Sequence, residues 1–226
     1  MPICWPWFGP RADHGQHGFA RISLWRTVSK GTDHVTLELA ENDVDEALLA
    51  GFKGFIVSYT VKIGEGNSLE LTMTVKNTSS NTPLPAMTAA LHSYFNVQSA
   101  DSVEVRLNAK DLEYLDQLTG QRRVNASGVV SAFGSEEVDM VVYDVPSSID
   151  IVDSKAGKLV TIQSQGFHDA VLWNPFKDKS RAMADFGDEE WRGMVCCESA
   201  AVGKPVIVKP DSQWTGSVTL DVPMCV

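Results

Sequence analysis

An all-β fold is predicted from three observations. Short apolar–polar alternations recur along the chain, clusters of Gly, Asn, Asp and Pro separate them, and helical periodicity is poor throughout. Many short strands punctuated in this way imply a β-sandwich or a barrel. No stretch is rich enough in Pro, Gly or Ser to divide the chain, and no repeat period is present, so residues 1–226 read as one domain.

The clearest element is a hairpin. Residues 56–63 and 68–75 both alternate apolar and polar side chains, and Gly64-Glu65-Gly66-Asn67 supplies the turn chemistry between them. Before it, residues 18–28 and 34–40 read as strands, and residues 42–49 as one short helix. After it, strands are expected over residues 86–97, 102–107, 148–152, 159–163, 170–173, 193–198 and 217–222, with a turn at 188–191.

The chain of 226 residues is long enough for a sizeable core, and its 43% hydrophobic and 21% charged content is ordinary for a soluble globular protein. No apolar run approaches the roughly 18 residues of a membrane helix. The start lacks a basic segment followed by an apolar one, so no signal peptide is expected and the cytosol is the expected compartment. A net charge of −10 argues against nucleic acid as a partner. It leaves room for an anionic small molecule, because a few placed arginines override the mean field locally. The cysteines are Cys4, Cys196, Cys197 and Cys225. Adjacent Cys196 and Cys197 point to opposite faces of a strand and do not pair, and no C-x-x-C spacing points to zinc. Reduced thiols, with neither metal nor cofactor, are expected.

Two ionisable residues stand in apolar, strand-like runs, where charge is costly unless paired or used. His92 lies in Leu91-His92-Ser93-Tyr94-Phe95-Asn96, with alternation placing Ala90, His92 and Tyr94 on one face. Glu198 follows Met194-Val195-Cys196-Cys197 at an expected strand end, where an apolar wall would raise its pKa toward that of a general base. Taken singly, the two are equally compatible with a hydrogen-bonded core histidine and a solvated carboxylate. Arg21, in Gln16-His17-Gly18-Phe19-Ala20-Arg21, could grip a phosphate together with Arg11, or be an ordinary surface arginine. Asp139 could bond a hydroxyl or sit in a solvated loop, and Trp173-Asn174 precede a proline-stopped strand end.

Together these segments resemble the hexose-6-phosphate mutarotases, or glucose-6-phosphate 1-epimerases, of the aldose 1-epimerase superfamily. The matching runs are PICWPWFG at 2–9, QHGFAR at 16–21, LHSYFNV at 91–97, YLDQLTG at 114–120, VDMVVY at 138–143, WNPF at 173–176 and MVCCE at 194–198. The resemblance implies a large antiparallel β-sandwich of the galactose mutarotase-like type. It makes His92 the general acid for the ring oxygen and Glu198 the general base for the C1 hydroxyl. Gln16, His17, Arg21, Asp139, Trp173 and Asn174 would contact a small-molecule sugar phosphate, Arg21 at the 6-phosphate. Such a protein would act as a monomer. Members of the family carry further strands and a second phosphate arginine ahead of the PICWPWFG run, so the resemblance implies an N-terminally shortened domain. Met140 stands where a basic residue is common, and His168 where a proline is common. A non-catalytic carbohydrate-binding sandwich, or an inactive fragment of such an enzyme, is the alternative reading.

Overall fold

The computed structural model describes residues 1–223, which leaves Cys225 outside it. Among the described residues two large antiparallel sheets dominate. One has eight strands, running Ile3–Cys4, Met87–Leu91, Met194–Val206, Asp169–Asn174, Val138–Val142, Leu112–Asp116 and Gln121–Asn125, with Tyr94–Asn96 also paired to Met194–Val206. The other has nine, running Val129–Val130, Val103–Arg106, Ser148–Asp153, Gly157–Gln165, Gln213–Asp221, Ser68–Asn77, Phe55–Ile63, His34–Ala40 and Arg26–Lys30. No helix among the described residues is long and apolar enough to cross a membrane.

Alternation decides what goes inside. In the hairpin, Val57 opposes Val75 and Val61 opposes Leu71; Phe55, Val57, Tyr59, Leu71, Met73 and Val75 are buried. From the other sheet Leu91, Leu172, Val195 and Cys197 join the same core. Trp5, wholly buried, meets Phe19 at 5.3 Å and Phe55 at 4.9 Å between ring centroids, in edge-to-face geometry. Burial of a ring of this size contributes roughly 4–6 kcal/mol before entropy is counted. The residues that alternate with the inner set in the eight-stranded sheet point outward. There Cys4, Ala90, Val141, Val171 and Ala200 form a second, smaller buried cluster, flanked by Phe8, Leu115, Tyr143 and Val202.

Several expectations are corrected. Residues 18–28 are not one strand: a 3-10 turn occupies Ala20–Ile22, and the strand begins at Arg26. The Ser23 hydroxyl donates to the Phe19 carbonyl and the Trp25 indole N–H to that of Ala20, which holds the chain curled. The helix expected over 42–49 is two 3-10 turns, Glu41–Asp43 and Glu46–Leu48. Asp43 and Asp45 accept from the amides of Ala40 and Ala47, and these local bonds compete with helix propagation. The strand expected over 86–97 breaks at His92-Ser93, where Ser93 bonds back to the Leu91 carbonyl. Strand 193–198 runs on to Val206, so Glu198 lies within a strand and not at its end. Asp139 also lies in a strand and not in a loop. Leu112–Asp116, Gln121–Asn125 and the seven-residue helix Phe176–Ala182 were not anticipated.

Asn174, expected at the ligand, has its amide bonded to the backbone around it. It is 0% exposed. Its Nδ2 donates to the carbonyls of Trp191 at 2.8 Å and Met194 at 2.9 Å, and its Oδ1 accepts from the Phe176 amide at 2.9 Å. One amide therefore ties the end of strand Asp169–Asn174 to the following helix and to the start of strand Met194–Val206. Asn174→Ala removes three hydrogen bonds to the backbone and is expected to cost about 2–4 kcal/mol in urea unfolding. A loss below about 0.5 kcal/mol, the range of a neutral surface change, would show that these bonds do not hold the joint.

Candidate active site

The outer face of the eight-stranded sheet gathers the ionisable residues. In strand Met194–Val206 the period of two places Cys196, Glu198 and Ala200 on that face. Cross-strand register extends the rows: Cys196 opposes Trp173, which opposes Asp139, while Glu198 opposes Val171, which opposes Val141. On the other side Cys196 opposes Tyr94, and Ala200 opposes Ala90. His92 sits in the gap between strands Met87–Leu91 and Tyr94–Asn96, its amide donating to the Pro2 carbonyl.

His92 Nδ1 and Glu198 Oε1 are 3.4 Å apart, with side chains 13% and 1% exposed. Cys196 Sγ lies 3.8 Å from the same Nδ1. Tyr94 stacks on the imidazole, its ring nearly parallel at a centroid distance of 4.7 Å, and Trp173 meets it edge-on at 6.1 Å. Glu198 Oε2 is buried without a hydrogen-bond partner among the described residues. An orphaned carboxylate oxygen beside an imidazole is expensive for stability, and such a cost is typical of a functional site.

Burial governs the protonation of both groups. It pushes the Glu198 carboxyl well above the ordinary carboxylate range, with Asp139 adding to the rise. It brings His92 down to about 4, helped by the rings and charges of His17 and Arg21 and opposed by its own backbone. Direct contact would favour the opposite charges, but desolvation of two nearly buried groups outweighs it. Both shifts favour the uncharged forms, a protonated carboxyl and a neutral imidazole.

The segment ahead of the sheet roofs the site. Gly18 takes φ +71°, and a Cβ there would lie 2.0 Å from the Trp5 carbonyl oxygen, so a side chain is excluded. Next to it His17 is buried, and its Nδ1 accepts from the Gly9 amide at 3.2 Å. That bond leaves the proton of the neutral ring on Nε2. Burial first and Arg21 second bring His17 down to about 4, and its ring lies 6.2 Å from that of His92.

The other expected residues divide. Asp139 is half-buried, its pKa raised by burial, and it accepts from Gln117 Nε2 at 2.5 Å. Trp173 joins the aromatic wall. Arg21 is exposed and has no ion pair among the described residues, yet its charge acts on His17, His92 and Cys4. Arg11 does not join it; its guanidinium lies over the Trp7 ring at 5.0 Å. Gln16 is exposed on the small hairpin of Pro10–Arg11 and Gly15–Gln16. Asn174 points to the other side of its strand. Sequence reasoning gave no role to Gln117 or Cys196, although both lie in the motif runs.

Comparison with known proteins bears on the family and the fold. The family model for aldose 1-epimerase matches residues 1–221. A protein of Cenchrus ciliaris named "Putative glucose-6-phosphate 1-epimerase" is 34% identical, over 97% of this chain and 68% of its own. A protein of the same name from Salmonella typhimurium is 28% identical, over 91% of this chain and 67% of its own. The crystal structure of a "putative mutarotase (YeaD)" from Salmonella typhimurium superposes with a TM-score of 0.83 at 26% identity, covering 99% of this chain and 73% of that one. The galactose mutarotase related enzyme of Lactobacillus acidophilus, at 13% identity and a TM-score of 0.74, shares the fold. The match over residues 1–221 and the 34% identity to a relative covered over two thirds of its length together make this chain a member of the aldose 1-epimerase family.

Proposed function

We propose that the protein is a glucose-6-phosphate 1-epimerase that interconverts the α and β anomers of hexose 6-phosphates. The observation that carries this reading is the buried His92–Glu198 pair, its Nδ1 and Oε1 3.4 Å apart. In the working form His92 is the imidazolium and Glu198 the carboxylate, which has the same proton count as the neutral resting pair. An anion bound near Arg21 and His92 favours that charged form.

Glu198 takes the proton from the C1 hydroxyl, the C1–O5 bond breaks as C1=O1 forms, and O5 takes a proton from His92. The products are the open-chain aldehyde, neutral imidazole and protonated carboxyl, the state that burial itself favours. Rotation about C1–C2 presents the other face of the aldehyde. Reclosure returns the proton from O5 to His92 and the proton of Glu198 to O1. Asp139, held by Gln117, accepts a sugar hydroxyl, while His17 Nε2–H donates to another. Trp173 and Tyr94 offer aromatic faces to the apolar C–H patches of the ring. Arg21 is the cation for the 6-phosphate, consistent with its having no ion pair among the described residues. A purely binding module would have less need of an ionisable acid and base held side by side.

Exchange spectroscopy of the anomeric protons of glucose 6-phosphate tests the assignment. Glu198→Gln and His92→Ala are expected to slow catalysed exchange by about 10²–10⁴-fold, the range for loss of a general acid or base, with the fold retained. Wild-type exchange in either variant contradicts the acid–base roles. Arg21→Ala is expected to raise KM for the phosphate ester by about 10–100-fold, the loss of a charge-assisted contact, with exchange of free glucose little changed. Equal effects on both sugars would remove Arg21 from the phosphate.

The pH dependence has a definite sign. Below about 4 the pair takes up a second proton, Glu198 is no longer a base, and kcat/KM falls. Above the raised pKa of Glu198 the pair loses its proton, no acid remains, and kcat/KM falls again. The profile of kcat/KM against pH is therefore bell-shaped, and a flat profile across these limits would contradict the one-proton scheme.

A further inference from the structure

The acid and the base of this site are close enough to neutralise each other. Nδ1 of His92 is 3.4 Å from Glu198 Oε1, and a direct hydrogen bond between them would occupy the base and pull the ring toward the carboxyl. Among the described residues no hydrogen bond joins the two. The group in hydrogen-bonding position at Nδ1 is the Cys196 thiol, at 3.8 Å.

Cys196 is fixed in place by its strand. It pairs with Trp173 on one side and Tyr94 on the other, and it faces outward beside Glu198, two residues further on. It is 0% exposed, and burial and the neighbouring Glu198 and Cys197 push its pKa well above that of an ordinary thiol, so it keeps its proton. Its hydrogen has no other acceptor among the described residues. The imidazole it faces is bounded by Tyr94 on one face, the Glu198 carboxyl at the same edge, His17 at 6.2 Å and the charge of Arg21. Glu198 shares the Nδ1 edge with the thiol, but among the described residues only the thiol is hydrogen-bonded there.

We propose that Cys196 is a positioning residue for His92: in the resting site its S–H donates to Nδ1, which keeps the ring off Glu198 and leaves Nε2 as the proton-bearing nitrogen presented to the ligand. When His92 has given its Nε2 proton to the sugar and retains one on Nδ1, the thiol rotates and sulfur accepts. A group that both donates and accepts suits an imidazole whose Nδ1 proton comes and goes within one turnover. The catalytic part of this role rests on the epimerase reading; the hydrogen bond itself does not.

Two measurements on the full chain separate those parts. Raman spectra of the S–H stretch, with the Cys196 band identified by its loss in Cys196→Ala, are expected to show that band below the frequency of a free thiol and moved upward in His92→Phe. A Cys196 band at the same frequency with and without the imidazole overturns the hydrogen bond, whatever the enzyme's activity. In anomer exchange, Cys196→Ala is expected to lower kcat roughly tenfold, the upper range for one hydrogen bond, with KM within about twofold of wild type. Cys196→Ser, which keeps a group that donates and accepts, is expected to restore most of kcat. An alanine variant with wild-type kcat, or a serine variant no better than alanine, overturns the positioning role. A protein that exchanges no anomers yet shows the Raman shift refutes the epimerase reading while the thiol–imidazole bond stands.

Discussion

Glu198 is a carboxyl group placed in the middle of a strand, almost wholly buried, on the face of a sheet that does not form the main core. Desolvation of an ion in such a place costs several kcal/mol, and most of the surrounding arrangement answers that cost. The small outer cluster of Cys4, Ala90, Val141, Val171 and Ala200 makes the floor dry. The curled segment carrying His17 roofs it. His92, set in a break between two strands, is the one imidazole brought against the carboxyl, and it is pushed toward neutrality by the same dryness. The two shifts belong together: a wetter site would let both groups charge and form an ordinary ion pair, with little tendency to move a proton.

The strand that bears Glu198 also shows how one sequence period serves two ends. Val195 and Cys197 enter the core between the sheets, while Cys196, Glu198 and Ala200 face the site. A one-residue slip in register would exchange these sets and bury the carboxyl in the main core. The Asn174 amide, which bonds the Trp191 and Met194 carbonyls, fixes where that strand starts and so protects the register. Stability and site geometry thus meet at a residue whose amide is engaged by the backbone.

Much of this was legible in the chain itself. The hairpin of Phe55–Ile63 and Ser68–Asn77 follows from strict alternation, and His92 and Glu198 stood out as ionisable residues in apolar runs. The rest depends on partners distant in sequence. Asn174 reads as a polar residue at a strand end until its register with Val138 turns it inward. The helix Phe176–Ala182 is too short to show a helical period. Gln117 gains its role only because the hairpin joining Leu112–Asp116 to Gln121–Asn125 brings it to Asp139. The turn at Ala20–Ile22 is imposed by Ser23 and Trp25 bonding backward, which no alternation pattern records.

The central claim is that burial reverses the usual order of ionisation, so that the resting pair is neutral. In water a glutamate loses its proton well before a histidine does, and at mildly acidic pH the two would be a carboxylate and an imidazolium. Infrared difference spectroscopy of the carboxyl band, assigned with Glu198→Gln, and ring-nitrogen NMR of His92, both in mildly acidic buffer without ligand, read the two groups directly. The account predicts a protonated carboxyl beside a neutral imidazole. A carboxylate beside an imidazolium in the resting protein would contradict it.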